Sequence, residues 1–178
     1  MPYDFYQNVI LPVRRNLQDV KYDCGPASLE IILETLGRNV SEKTLMRIAR
    51  TTPEGTSPEN IAHTLRKLKI KHQIIPRGST ALIEEKIRNF NLCLVDYQAW
   101  GKNGAEIKNL ESGHYSVIFG FTPTHFFIAD PAKRRTAKYD KQWGFRTIKK
   151  NLFGKRWKDK EENGEKTFHW LLAVSLNQ

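Results

Sequence analysis

Gln18-Asp19-Val20-Lys21-Tyr22-Asp23-Cys24-Gly25-Pro26-Ala27-Ser28-Leu29 passes from a polar, turn-forming segment straight into an apolar helical pattern. Ala27, Ile31, Ile32, Leu33 and Leu36 recur at helical spacing, which predicts a helix from Gly25 to Leu36 with Gly37 as its C-cap. The thiol of Cys24 then falls in the first turn of that helix. Unsatisfied N–H groups and the positive end of the helix dipole favour a thiolate there. Gln18 lies six residues upstream and can donate its amide to an oxyanion forming beside the sulfur. The plainer reading of Cys24 alone is a small buried hydrophobe near a helix start.

Working outward, Val9 to Val13 reads as a short strand stopped by Pro12 and a basic turn. Ser41 is read as the N-cap of a second helix running to about Ala49, and Ser57-Pro58-Glu59 opens a third. Ile70 to Ile75 reads as a strand, Ala81 to Phe90 as a helix capped by Ser79 or Thr80, and Leu92 to Tyr97 as a buried strand. A polar loop follows from Ala99 to Gly113. His114 to Phe121 and His125 to Ala129 form two strands around a Thr122-Pro123-Thr124 hairpin, ended by Asp130-Pro131. Helical or irregular basic sequence comes next, and Phe168 to Leu176 makes the last strand. Helices first and mostly antiparallel strands afterwards define an α+β domain, with a site between the two halves.

The 178 residues are read as one domain, 1–178, large enough for a real core. No run of about 18 apolar residues is present, so no membrane span is expected. The N-terminus has no secretory pattern. Two cysteines, Cys24 and Cys93, and five scattered histidines argue against a disulfide framework, a metal site or any other cofactor. A reducing, cytoplasmic setting is expected. The net charge of +10 is concentrated late in the chain. Lys133 to Lys166 holds thirteen Lys/Arg against five Asp/Glu, interleaved with Tyr139, Trp143, Phe145, Phe153 and Trp157. Such a run suits a polyanion. Without a nucleic-acid motif beside it, the better reading is a solvated basic face over core aromatics, and nucleic acid is disfavoured.

A thiol at a helix start becomes a nucleophile when an imidazole takes its proton and a third group orients the ring. His114 opens a strand at a loop edge, and Asp130 ends the next one. Each alone is an ordinary polar or turn residue. Cys93 sits in an apolar strand and is read as core.

Gln18-x5-Cys24-Gly25-Pro26-Ala27-Ser28-Leu29, His114-Tyr115-Ser116-Val117-Ile118 and Phe127-Ile128-Ala129-Asp130-Pro131, in that order, resemble the bacteriocin-processing cysteine peptidases. These are the double-glycine leader peptidases of the papain-like superfamily. The resemblance spans roughly Leu17 to Pro131. It implies a papain-like fold, its helical half packed on the sheet half, and peptide-bond hydrolysis through an acyl-enzyme. By the same resemblance Cys24 is the nucleophile, His114 the general base and acid, Asp130 its orienting acid, and Gln18 the oxyanion donor. Cleavage after small residues, often Gly-Gly, is implied, with a peptide or protein as substrate. Many family members are domains of ATP-driven peptide exporters. This sequence carries no phosphate-binding loop, so an exporter is expected as a separate partner. Tyr22 and Gly113 are the expected substrate-binding residues, with Trp100 also close in the chain. Acyl or amide transfer on the same triad, and a binding module with a basic surface, remain alternative readings.

Overall fold

The computed structural model describes residues 8–100, 110, 113–132, 144–160 and 164–178. The first helix, α1 (Cys24–Thr35), ends where the N–H groups of Gly37 and Arg38 turn back to the carbonyls of Glu34 and Leu33. Three further helices begin at serine caps. The side chains of Ser41, Ser57 and Ser79 accept from the N–H groups of Thr44, Asn60 and Leu82 at 3.4, 3.3 and 3.1 Å. Each satisfies a donor that the first turn leaves open. They start α2 (Glu42–Ile48), α3 (Pro58–Lys67) and α4 (Thr80–Arg88).

The strands are β1 (Val9–Ile10), β2 (His72–Ile75), β3 (Asn91–Gln98), β4 (Gly113–Phe121), β5 (His125–Ala129), β6 (Phe145–Lys149), β7 (Lys158–Lys160), β8 (Lys166–Phe168) and β9 (Leu171–Ser175). The main sheet has the order β2-β9-β3-β4-β5-β6, with β1 added to β4, and every pairing is antiparallel. The chain is therefore α+β, as its sequence pattern predicts. Gly120 allows β1 to join β4, because a Cβ there would lie 2.6 Å from the Val9 carbonyl oxygen.

Three local expectations need correction. The first strand stops at Ile10; Pro12 has no N–H to extend a ladder, although Leu11 still donates to the Phe119 carbonyl at 2.8 Å. The final strand begins at Leu171 rather than Phe168: Phe168 closes β8, and His169, at φ of +57°, breaks the run before β9. The described part of the basic segment is regular: it contains β6, a fifth helix α5 (Lys150–Arg156), and the β7–β8 pair. Its residues 133–143 and 161–163, and residues 101–109 and 111–112 of the loop before His114, lie outside the described residues.

Register decides what the sheet presents. Tyr97 pairs with His114, Val117 with Ala129, and Ile128 with Arg146. Side chains alternate along a strand, so Tyr97, His114, Asp130 and Arg146 share one face across β3, β4, β5 and the start of β6. Helix α5 covers this face, with the Phe153 ring 5.6 Å from that of Tyr97 and 5.4 Å from that of Phe126.

Candidate active site

Cys24 is the first residue of α1, and the cap position before it is unusual. The Asp23 side chain makes no capping bond; it turns back and accepts from the N–H groups of Val20 at 2.9 Å and Asp19 at 3.2 Å. Glu42, at the start of α2, also accepts from Asp19 N–H, at 3.1 Å. Burial, followed by a hydrogen bond to Asp23, raises the Glu42 carboxyl to about 8, so it is a neutral acid near neutral pH. This pair ties down the 18–23 segment. The same segment is tied to the sheet by Gln18, whose N–H donates to the Pro131 carbonyl at 2.8 Å. The Gln18 side chain is buried and its Nε2 donates to the Val20 carbonyl at 2.5 Å.

His114 and Asp130 meet diagonally across β4 and β5, the reach expected for same-face residues two positions out of register. His114 Nε2 lies 2.6 Å from Asp130 Oδ1. Asp130 Oδ1 also accepts from the Ala132 N–H at 3.0 Å, and Arg146 Nε lies 2.7 Å from Oδ2. Burial alone would lower the His114 pKa, but hydrogen bonds to Asp130 and Cys24, with the charges of both, outweigh it and raise the imidazole to about 9. For Asp130, burial works upward, but the bond to His114 and the charges of His114 and Arg146 hold the carboxyl down at about 2. His114 and Asp130 are thus hydrogen-bonded to each other, and Gln18, Cys24 and His114 line the same cleft.

Two clefts meet at Cys24 and Gly113. One, of about 530 Å³, is lined by Gln18, Val20, Trp100, His114 and Ala132 among others; the Trp100 ring lies 5.2 Å from that of His114. The other, of about 520 Å³, runs along Thr52 to Asn60 to Asp96, Tyr115 and Asp159. Gly113 borders both, and a Cβ there would lie 2.1 Å from Asp159 Oδ2. Tyr22, half-buried, is not among the residues lining either cleft, so of the two expected substrate contacts only Gly113 stands at them. Cys93 is fully buried, and burial pushes its thiol pKa up. Among the described residues no three His, Cys, Asp or Glu side chains gather as metal ligands would, and no helix is long and apolar enough to cross a membrane.

Sequence reasoning missed Arg146, which it counted only as one charge in the basic run. The available signal was its position one strand beyond Asp130, and this required the register.

A helical half carrying a thiol at a helix start, set against an antiparallel sheet carrying a histidine, is the arrangement of papain-like cysteine peptidases. The comparisons agree. Residues 14–159 match the peptidase C39 family, and the chain belongs to that family. Over 109 residues it is 36% identical to a lactococcin transport/processing ATP-binding protein LcnC-like of Lactococcus lactis, covering 61% of this chain and 14% of that protein. This chain therefore matches only a small part of that relative's length. The peptidase domain of Streptococcus ComA, described as a bi-functional ABC transporter, superposes with a TM-score of 0.64 at 19% identity, covering 94% of this chain and 98% of the other. A double glycine motif protease from an AMS/PCAT transporter, in complex with the leader peptide, gives 0.64 at 17%, covering 94% of each chain. These likenesses show the fold. The chain is a papain-like cysteine peptidase.

Proposed function

We propose that this peptidase cuts a peptide or protein substrate after small residues, as in a Gly-Gly leader, with Cys24, His114 and Asp130 as its triad. The observation that supports this best is the imidazole of His114 held at Nε2 by Asp130, which leaves Nδ1 for the Cys24 thiol. The thiolate attacks the scissile carbonyl, and the imidazolium gives its proton to the departing amine. Water then attacks the thioester, with His114 as base, and the acid product leaves as Cys24 regains its thiolate. Gln18 Nε2 has two hydrogens; Val20 takes one, and the other serves the oxyanion together with the N–H groups of the first turn of α1.

Gly113 borders both clefts beside Cys24, so that edge of the junction carries no side chain. The names of the Lactococcus relatives speak of transport and processing, which favours a secreted peptide as substrate and a link to peptide export. A reducing compartment, which keeps the thiol free, fits the same reading.

The test is incubation with a synthetic leader peptide containing Gly-Gly before its cargo, read by mass spectrometry. Cleavage after the second glycine is expected, and its loss in a folded Cys24→Ala variant. Cleavage that persists in that variant, or no cleavage at small residues, overturns the reading.

A further inference from the structure

We propose that Arg146 is a positioning residue of this site, holding Asp130 through its outer oxygen so that the inner one stays aimed at His114. The proposal rests on the triad reading above. Arg146 lies on β6, opposite Ile128, on the sheet face that also carries Asp130, His114 and Tyr97. Its Nε lies 2.7 Å from Asp130 Oδ2, while an Nη donates to the Tyr97 hydroxyl. Its guanidinium carbon is 5.8 Å from the Tyr97 ring centroid and 5.9 Å from that of Trp100. Trp100 in turn lies against the His114 ring. The guanidinium is therefore fixed at two polar ends and flanked by two rings, while its outer edge stays partly open, at 26% side-chain exposure.

The arrangement has a chemical use. Asp130 is almost wholly buried, and burial favours its neutral form. While His114 is protonated, the imidazolium keeps the carboxylate charged. Once His114 passes its proton to the leaving amine, that cation is gone. Arg146 then remains as the fixed positive charge beside Oδ2. It keeps Asp130 an acceptor through the half of the cycle in which neutral His114 must take a proton from water. The two oxygens are divided accordingly: His114 and the Ala132 N–H use Oδ1, and Arg146 uses Oδ2. Lysine would keep the charge but not the position, because a single ammonium does not span Asp130 and Tyr97 as the planar fork does.

The experiment follows the Asp130 carboxyl by carbon-13 NMR and the His114 ring by nitrogen-15 NMR over pH, in the wild type, Arg146→Ala and Arg146→Lys. Steady-state cleavage of the leader peptide is measured alongside. In Arg146→Ala the Asp130 titration is expected to move up from about 2 and the His114 ring signals to shift. kcat is expected to fall about 10-fold, the loss of one close ion pair beside the Asp130 carboxylate, with KM within about twofold. Arg146→Lys should recover part of kcat and keep Asp130 acidic. Arg146→Gln, neutral and of similar reach, gives the same reading if the alanine variant does not fold. An Asp130 titration and His114 ring signals that do not move in the neutral variants overturn the proposal, whatever happens to turnover. A wild type that cleaves no peptide overturns the triad reading instead, and the two titrations still decide the role of Arg146.

Discussion

At the scale of single residues, the site is a set of side chains whose ordinary behaviour is changed by what touches them. His114 would be neutral near pH 7 in water. Here burial opposes its charge, but Asp130 and Cys24 hold it protonated up to about 9. Cys93 shows the contrast: a thiol of the same chain, buried in a strand with no imidazole beside it, has its pKa pushed up. Gln18 is the residue whose proposed role is most open to kinetic test. Its Nε2 donates to Val20 in the resting site, and the oxyanion it would serve exists only during reaction. An interaction made only in the transition state alters kcat and leaves substrate affinity alone. Gln18→Ala is therefore expected to lower kcat by about 10²-fold, the usual loss for one oxyanion donor, with KM nearly unchanged. Steady-state kinetics on the leader peptide measures both constants. A rise in KM with kcat intact would remove Gln18 from the oxyanion site.

At the scale of elements, the helices were legible because their signals are local. A serine before an apolar period marks a start, and Ser41, Ser57 and Ser79 each cap as their neighbours predict. Cys24, His114 and Asp130 were legible for the same reason: each sits at the end of an element whose residues announce it. The segment after Pro131 was not. Ile148 is the one buried residue of strand β6, and Arg146 and Lys149 make its sequence read as charge. Its partner is set by pairing with β5, which a single sequence does not display. Cys24 reaches His114 only because α1 packs on β4, and the two glycines in β4 do the rest of the local fitting. Gly120 has the backbone of β1 against it, and backbone has no rotamer by which to yield. Gly120→Ala should cost about 1–3 kcal/mol in a urea melt, by prising β1 from β4. Amide exchange should rise at Val9 to Leu11 and leave β3 protected. A variant as stable as wild type would mean that β1 contributes nothing.

At the scale of the whole molecule, charge is used on the inside as well as shown on the outside. Three members of the basic run are engaged internally: Arg146 on Asp130, Lys150 on Glu84 at 2.5 Å, and buried Arg156 on the Ala99 carbonyl at 3.1 Å. Phe153 and Trp157 of that run are core. Part of what reads as a polyanion surface is therefore structural. The carboxyls carry a further consequence for stability. Glu30, Glu42 and Asp159 are all raised, each with burial as the first cause, and Asp130 is lowered. A raised acid keeps its proton when folded and loses it when unfolded. Between its unfolded and folded pKa the native state binds more protons, so stability falls as pH rises. For Glu42 that window runs from 4.5 to about 8. Asp130 has the opposite sign: its contribution is whole above 3.8 and is lost as pH falls through about 2. Glu42 accepts from Asp19 N–H in the segment carrying Gln18, so its ionisation places a buried charge against that segment. Glu42→Gln keeps the carbonyl for Asp19 N–H and an amide donor for Asp23, and it cannot ionise. Urea unfolding from pH 4.5 to 8 should show wild-type stability falling with pH and a distinctly shallower fall in Glu42→Gln. Equal slopes in the two proteins would show that Glu42 ionises in the folded state as it does in the unfolded chain.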